Sequence, residues 1–192
     1  MKKAIIDIDG VLNNYPYNQI QFFNDELGTE FKTLSDAKNA LSYTEYKEMK
    51  KRYRQSSAKH DAPLTPGARE MIDYLKANDY LIYIVTSRQL FTENQLEKTI
   101  TWLKKNGINY DYIYCSIKKD FTIFEKFGHI DFAIEDNVNN IENIKQINGD
   151  DAFYFNVINI DNEDRACTCK RVYSLFEVIE HMEAKKRVNC AW

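Results

Sequence analysis

Five short apolar runs, at residues 4–8, 81–86, 112–115, 132–134 and 152–157, recur along this chain of 192 residues. Each is rich in β-branched or aromatic side chains and bounded by polar ones, the pattern of a buried strand. Helical patterns lie between them. Thr65-Pro66-Gly67 opens a helix predicted to run to about Asn78, with Met71, Ile72 and Leu75 on one face. A second helix, predicted over 93–106, carries Leu96, Ile100 and Leu103 and stops at Gly107. A third, over 137–148, carries Ile141, Ile144 and Ile147 before Gly149, and a last amphipathic helix covers 174–185. Strands that alternate with helices, and are apolar along their whole length, predict an α/β fold: a Rossmann-like parallel sheet with helices on both faces.

One segment breaks the alternation. Residues 15–62 show no strand pattern and carry polar-aromatic helical sequence with Phe22, Phe23, Phe31, Leu41, Met49 and Tyr53. The predicted organisation is therefore a core of residues 1–14 and 63–192 with a small helical cap inserted at 15–62. In an open α/β sheet the connection after a strand leaves the carboxyl edge, where ligands bind, so the insertion is expected to cover that edge. Its aromatics, Tyr15, Tyr17, Phe22, Tyr43 and Tyr46 among them, are expected mainly to pack a small bundle, with one or two lining the cleft.

Charge narrows the partners. A net charge of -3 and a pI near 5.7 disfavour nucleic-acid polymers and anionic membranes. No apolar run is long enough for a bilayer, and Met1-Lys2-Lys3 leads straight into the first strand without the apolar core of a signal peptide. Cys115, Cys167, Cys169 and Cys190 have no regular disulfide spacing. The expectation is a cytoplasmic, reduced protein of undetermined oligomeric state.

The strand ends carry the chemistry. The first run continues into Asp7 and Asp9; the second ends in Thr86, Ser87 and Arg88; the third is followed by Lys118 and Lys119; the fourth ends in Glu135 and Asp136. Carboxylates two apart on a strand point the same way, and burying such a charge unpaired costs several kcal/mol. Parallel strands deliver all these groups to one cleft. Several carboxylates form a hard-oxygen site suited to Mg²⁺, while hydroxyls and an ammonium suit a phosphoryl group. Together they describe phosphoryl transfer to or from a small phosphorylated substrate.

With "DIDGVL", "IVTS", a lysine after the third strand and "IEDN" in that order, the chain resembles the haloacid dehalogenase (HAD) superfamily of phosphatases. The resemblance implies Asp7 as a nucleophile that forms an aspartyl-phosphate and Asp9 as the general acid and base. It also implies Mg²⁺ held by the Asp7 carboxylate, the Asp9 backbone carbonyl and Asp136, with Glu135 acting through a water. Thr86, with Ser87 beside it, would bind the phosphoryl oxygens, and Lys119, rather than Lys118 by its distance from the strand, would neutralise charge. "LTPGAREMIDYLKANDYLIYIVTSR", the helical insertion and the ending "NVINIDNEDRACTCKRVYSLFEVIEHM" are similar to the 5'(3')-deoxyribonucleotidase family, whose members dephosphorylate nucleoside monophosphates. Asn13 and Asn14 and the cysteines after the fifth strand depart from the family's pattern. The expected function is a Mg²⁺-dependent 5'-nucleotidase; the alternatives are a phosphatase of a sugar phosphate or other small metabolite, or a non-catalytic ligand-binding relative.

Simpler readings compete at each position. An EF-hand would need further oxygen ligands where Val11 and Leu12 stand. Glu135 and Asp136 could serve only the dipole of the following helix, and Thr86 and Ser87 could be capping residues. Cys167, Cys169, His181 and Cys190 match no common zinc spacing and read as thiols. Gly10 suits a sharp turn after the acidic pair.

Overall fold

A computed structural model describes residues 1–88, 94–116, 119 and 121–189. Six strands, β1 (Lys2–Ile6), β2 (Tyr80–Thr86), β3 (Tyr112–Cys115), β4 (Phe132–Glu135), β5 (Phe153–Val157) and β6 (Lys170–Val172), form one sheet in the order β3-β2-β1-β4-β5-β6. Every neighbouring pair is parallel. At the centre, Ile6 stands opposite Ile84 on one side and Ile134 on the other. β1 is apolar on both faces for a reason visible in the packing. Ala4 and Ile6 join one core cluster with Met71, Leu75 and Leu103, whereas Ile5 joins the opposite one with Ala133, Ile141 and Ile144.

Helices α5 (Ala68–Ala77), α6 (Gln95–Lys105) and α9 (Leu175–Asn189) contribute to the first cluster, and α7 (Phe121–Glu125) and α8 (Val138–Asn148) to the second. The segment between β1 and α5 folds as α1 (Tyr17–Leu27), α2 (Leu34–Ala40), α3 (Tyr43–Gln55) and α4 (Ser57–His60). Capping boxes at Thr33 with Asp36 and Ser42 with Glu45 start α2 and α3. These helices close a small core of their own around Phe23, Ala37, Met49 and Tyr53. Among the described residues no helix is long and apolar enough to cross a membrane.

The structure corrects several boundaries. β1 ends at Ile6, not at residue 8: Asp7 still donates its N–H to Ile134 (3.2 Å), but the N–H groups of Val11, Leu12 and Asn13 all turn back to the Ile8 carbonyl. The buried face of α6 is also shifted. Leu103 is buried as expected, but Leu96 and Ile100 are each 38% exposed, and Thr99 and Trp102 are buried instead. Trp102 takes that place because its indole N–H finds the Ala62 carbonyl at 2.8 Å. Glu93, the expected start of this helix, lies outside the described residues. Two elements had no sequence signal: α7 is one short turn, and β6 is an edge strand of three residues, "KRV", where only Val172 is buried.

Candidate active site

Asp7 follows the central strand directly, Glu135 ends β4, and Lys119 comes from the segment after β3. All three are buried. The Lys119 ammonium lies 2.6 Å from Asp7 Oδ1 and 2.5 Å from Glu135 Oε1. Asp136 completes the group, since Asp7, Glu135 and Asp136 each offer an oxygen within 4.8 Å of the others. Three carboxylates thus share one lysine. The electrostatics record the imbalance: burial and then the Glu135 charge push the Asp7 carboxyl up to about 7, against the pull of Lys119. Asp136 is raised well above the ordinary carboxylate range by burial, Glu135 and Asp7. Burial opposes the charge on Lys119, yet Asp7 and Glu135 hold its pKa above the usual lysine value.

Asparagines fix the acidic group in place. Asn140 Nδ2 donates to Glu135 Oε1 at 3.0 Å, and the Asn137 N–H donates to Oε2 at 3.2 Å. Asn156 and Asn162 donate to the Asp136 backbone carbonyl at 3.0 and 2.7 Å, and Asn159 donates to Asp136 Oδ2 at 3.2 Å. Gly10, at φ +86°, lies so close to Asp136 that a Cβ there would stand 2.3 Å from Oδ2. The glycine is required by close approach as well as by its backbone angle.

Asp9 has different company. Its carboxylate takes Lys59 Nζ at 2.5 Å and Arg88 Nη2 at 2.9 Å, and Asn13 Nδ2 donates to Oδ1 at 2.8 Å. Burial alone would raise its pKa, but Arg88 and Lys59 hold it far below the usual carboxylate range. Lys59 in turn is lowered to about 8 by burial, with Asp9 opposing the change. Asn13 ties the loop: its Oδ1 accepts from the N–H groups of Gly10 and Tyr15 at 3.2 and 3.1 Å. The period-2 expectation is therefore half realised. Asp7 and Asp9 both face the cleft, but Asp9 arrives there on a turn and points its side chain at two cations rather than into the acidic group.

A cavity of about 670 Å³ opens over this edge. Asp7, Asp9, Ser87, Lys119, Glu135 and Asp136 line it from the sheet, and Tyr15, Gln19, Tyr53 and Lys59 line it from the inserted segment. Thr86 is fully buried and does not form its wall; its hydroxyl accepts the Arg88 N–H at 3.3 Å, while the exposed Ser87 lies at the surface of the cavity. Lys118 lies outside the described residues. Of the expected aromatics, Tyr15 lines the cavity, whereas Phe22 and Tyr46 pack against the small helical core.

Sequence reasoning missed Lys59 and the asparagines. Lys59 had no signal, because only the fold of the insertion brings it back to Asp9. The run "NVINIDN", from Asn156 at the end of β5 to Asn162, did carry one: carboxamides at a strand end can pin a neighbouring carbonyl or carboxylate. Away from the cavity, Cys167, Cys169 and Glu142 lie within ligand distance of one another. Both Glu142 oxygens there accept from Thr168, at 2.5 and 2.7 Å. His181 is elsewhere, stacked on Phe155, and Cys190 lies outside the described residues.

Residues 3–187 match the family described as 5' nucleotidase, deoxy (Pyrimidine), cytosolic type C. No curated protein sequence matches the chain. Among solved structures, a Thermotoga maritima protein assigned as a β-phosphoglucomutase aligns with TM-score 0.66 at 15% identity, over 96% of this chain and 99% of that one. The magnesium-bound HAD-hydrolase YfnB of Bacillus subtilis aligns with TM-score 0.60 at 13% identity, over 94% and 98%. A HAD-superfamily hydrolase of Ehrlichia chaffeensis aligns with TM-score 0.54 at 15% identity, over 95% and 97%. At such identities these structures share the fold.

Proposed function

This chain belongs to the cytosolic type C 5'-nucleotidase family of HAD-fold phosphatases, and from that premise we propose that it is a Mg²⁺-dependent 5'-nucleotidase of the cytoplasm, acting on nucleoside monophosphates through an aspartyl-phosphate. The observation that carries the reading is the group of Asp7, Glu135 and Asp136 at the floor of a cavity, three carboxylates of which the first two are buried and share the Lys119 ammonium. Their oxygens are the hard donors that Mg²⁺ takes, and their mutual repulsion is what a cation relieves, so the residues fit the ion. The Asp7 and Asp136 carboxylates and the Asp9 backbone carbonyl would hold it, with Glu135 through a water; when bound it supplies charge neutralisation at the nucleophile and the phosphoryl oxygens.

In this reading an Asp7 oxygen attacks phosphorus and the ester P–O bond breaks, leaving the phosphoryl group on Asp7. The departing oxygen takes a proton from Asp9. Asp9 then removes a proton from a water, which releases inorganic phosphate and restores Asp7. Lys119 lies against Asp7 and balances charge on the transferring group. Ser87 and the buried Thr86, at the end of β2, are the proposed phosphoryl ligands. Arg88 joins them: its Nη1 is buried without a hydrogen-bond partner. Asp9 as found is ionised by Lys59 and Arg88, which suits the base. A phosphate dianion that draws these cations to itself loosens their hold and lets Asp9 carry the proton that the first step needs. The insertion 15–62 acts as a cap over the site, excluding water and selecting the leaving group.

A panel of nucleoside 5'-monophosphates against hexose phosphates tests the substrate class. Nucleotides should lead by at least about tenfold in kcat/KM; a lead for hexose phosphates overturns the nucleotidase reading.

A further inference from the structure

The cavity is divided by charge. Its floor holds Lys59, Arg88 and Lys119 against Asp7, Asp9, Glu135 and Asp136, and each of the three cations is paired at 2.5 to 2.9 Å with Asp7, Asp9 or Glu135. The floor is one negative charge over balance, and a divalent ion bound with a phosphoryl dianion would leave that sum unchanged, so the floor calls for no further cation from the rim. The outer part is unlike it. Lys38, Lys50, Lys51 and Arg54 reach it from α2 and α3, Arg165 reaches it from the loop after β5, and Asp161 is the one carboxylate beside them among the described lining residues. This leaves four surplus positive charges on the rim in a chain whose net charge is -3. Among the described residues, none of the five cations has a carboxylate within ion-pair distance, although ion pairs are made elsewhere on the surface. The crowding has a cost: burial, then Arg54 and Lys38, lower the pKa of Lys50. Helix α3 therefore presents like charges to a shared cavity, where solvated lysines would ordinarily spread apart.

We infer that the rim is a second phosphate subsite, so that the preferred substrate is a phosphomonoester whose leaving group carries another phosphoryl group, of the nucleoside 3',5'-bisphosphate class. This rests on the phosphatase reading above and names its substrate more closely. The floor cleaves one ester, water supplying the oxygen that leaves as inorganic phosphate. The alcohol departs with its second phosphate intact, held by Lys50, Arg54 and Arg165. A single scissile phosphate does not account for the rim, since Lys119, Lys59 and Arg88 already stand beside Asp7 and Asp9 on the floor where that phosphate would react.

The test compares thymidine 5'-monophosphate with thymidine 3',5'-bisphosphate. Charge-assisted contacts of this kind predict a kcat/KM for the bisphosphate higher by about tenfold to a hundredfold, shrinking as salt rises. Lys50→Gln with Arg54→Gln should bring the ratio close to one, whereas Lys104→Gln with Lys126→Gln, which removes the same charge from exposed sites away from the cavity, should keep it. A wild-type ratio near one with the monophosphate turned over, or a ratio that survives loss of Lys50 and Arg54, overturns the inference and leaves the phosphatase reading standing. If neither compound is hydrolysed, it is the phosphatase reading that fails. Calorimetric binding to the Asp7→Asn variant then decides the subsite: about tenfold tighter binding of the bisphosphate supports it, and equal binding refutes it.

Discussion

Gly10→Ala puts the close packing of the acidic group to a quantitative test. A Cβ on Gly10 would stand 2.3 Å from Asp136 Oδ2, 2.6 Å from its Cγ and 2.9 Å from its Cβ, where ordinary contact begins at 3.4 Å. Asp136 would have to retreat by about 1.1 Å, yet its carbonyl is pinned by Asn156 and Asn162 and its carboxylate by Asn159. Overpacking of this kind costs about 1–3 kcal/mol, and an alanine held at φ +86° adds about 1 kcal/mol. Gly28→Ala supplies the reference: that residue has φ +65° with nothing within 4 Å of its added carbon, so only the backbone cost of about 1 kcal/mol applies. Urea unfolding should therefore find Gly10→Ala less stable than Gly28→Ala by about 1–3 kcal/mol. Because Asp136 is a proposed ligand of the ion, a shift near 1 Å should also lower kcat/KM on p-nitrophenyl phosphate by about a hundredfold and raise the Mg²⁺ concentration needed for half-maximal rate. Two glycine variants of equal stability, with Gly10→Ala active within about threefold of wild type, would refute the argument that Asp136 is held immobile against Gly10.

Asp7→Asn should abolish turnover of p-nitrophenyl phosphate, to below about a thousandth of wild type, while circular dichroism stays unchanged; turnover above that level removes Asp7 as nucleophile. EDTA should silence the enzyme and Mg²⁺ restore it, and thermal melts should show a pH signature. With its carboxyl near 7 in the fold against 3.8 when unfolded, Asp7 binds an extra proton in the native state between those values. Its contribution to metal-free stability therefore falls as pH rises through that window. Mg²⁺ should consequently raise Tm more at pH 7 than at pH 5, and a Tm indifferent to Mg²⁺ at both pH values refutes the metal site. Lys59→Met removes one of the two cations that keep Asp9 ionised, so the Asp9 pKa should rise and the alkaline limb that its role as acid in ester cleavage sets on kcat/KM should move to higher pH; a limb that stays in place excludes Asp9 as that acid.

The sequence by itself determined the layered fold and the membership of the acidic group. Strand and helix periods are local, and in a parallel sheet any polar residue that follows an apolar run must emerge at one edge, so Asp7, Glu135 and Asp136 could be placed together from order alone. Its failures have a common cause. The burial of Trp102 in place of Leu96 and Ile100, the edge strand "KRV" and the early end of β1 at Ile6 depend on neighbours far away in the chain, whose positions no local period encodes. The partner of each charge was likewise decided by tertiary structure. Asp7 and Asp9 are two residues apart, yet one meets Lys119 and the other meets Lys59 and Arg88, because the insertion folds back to deliver Lys59 over the sheet edge. Residue type fixes which groups can ionise; the distances that decide how strongly they repel or pair are a property of the assembled fold.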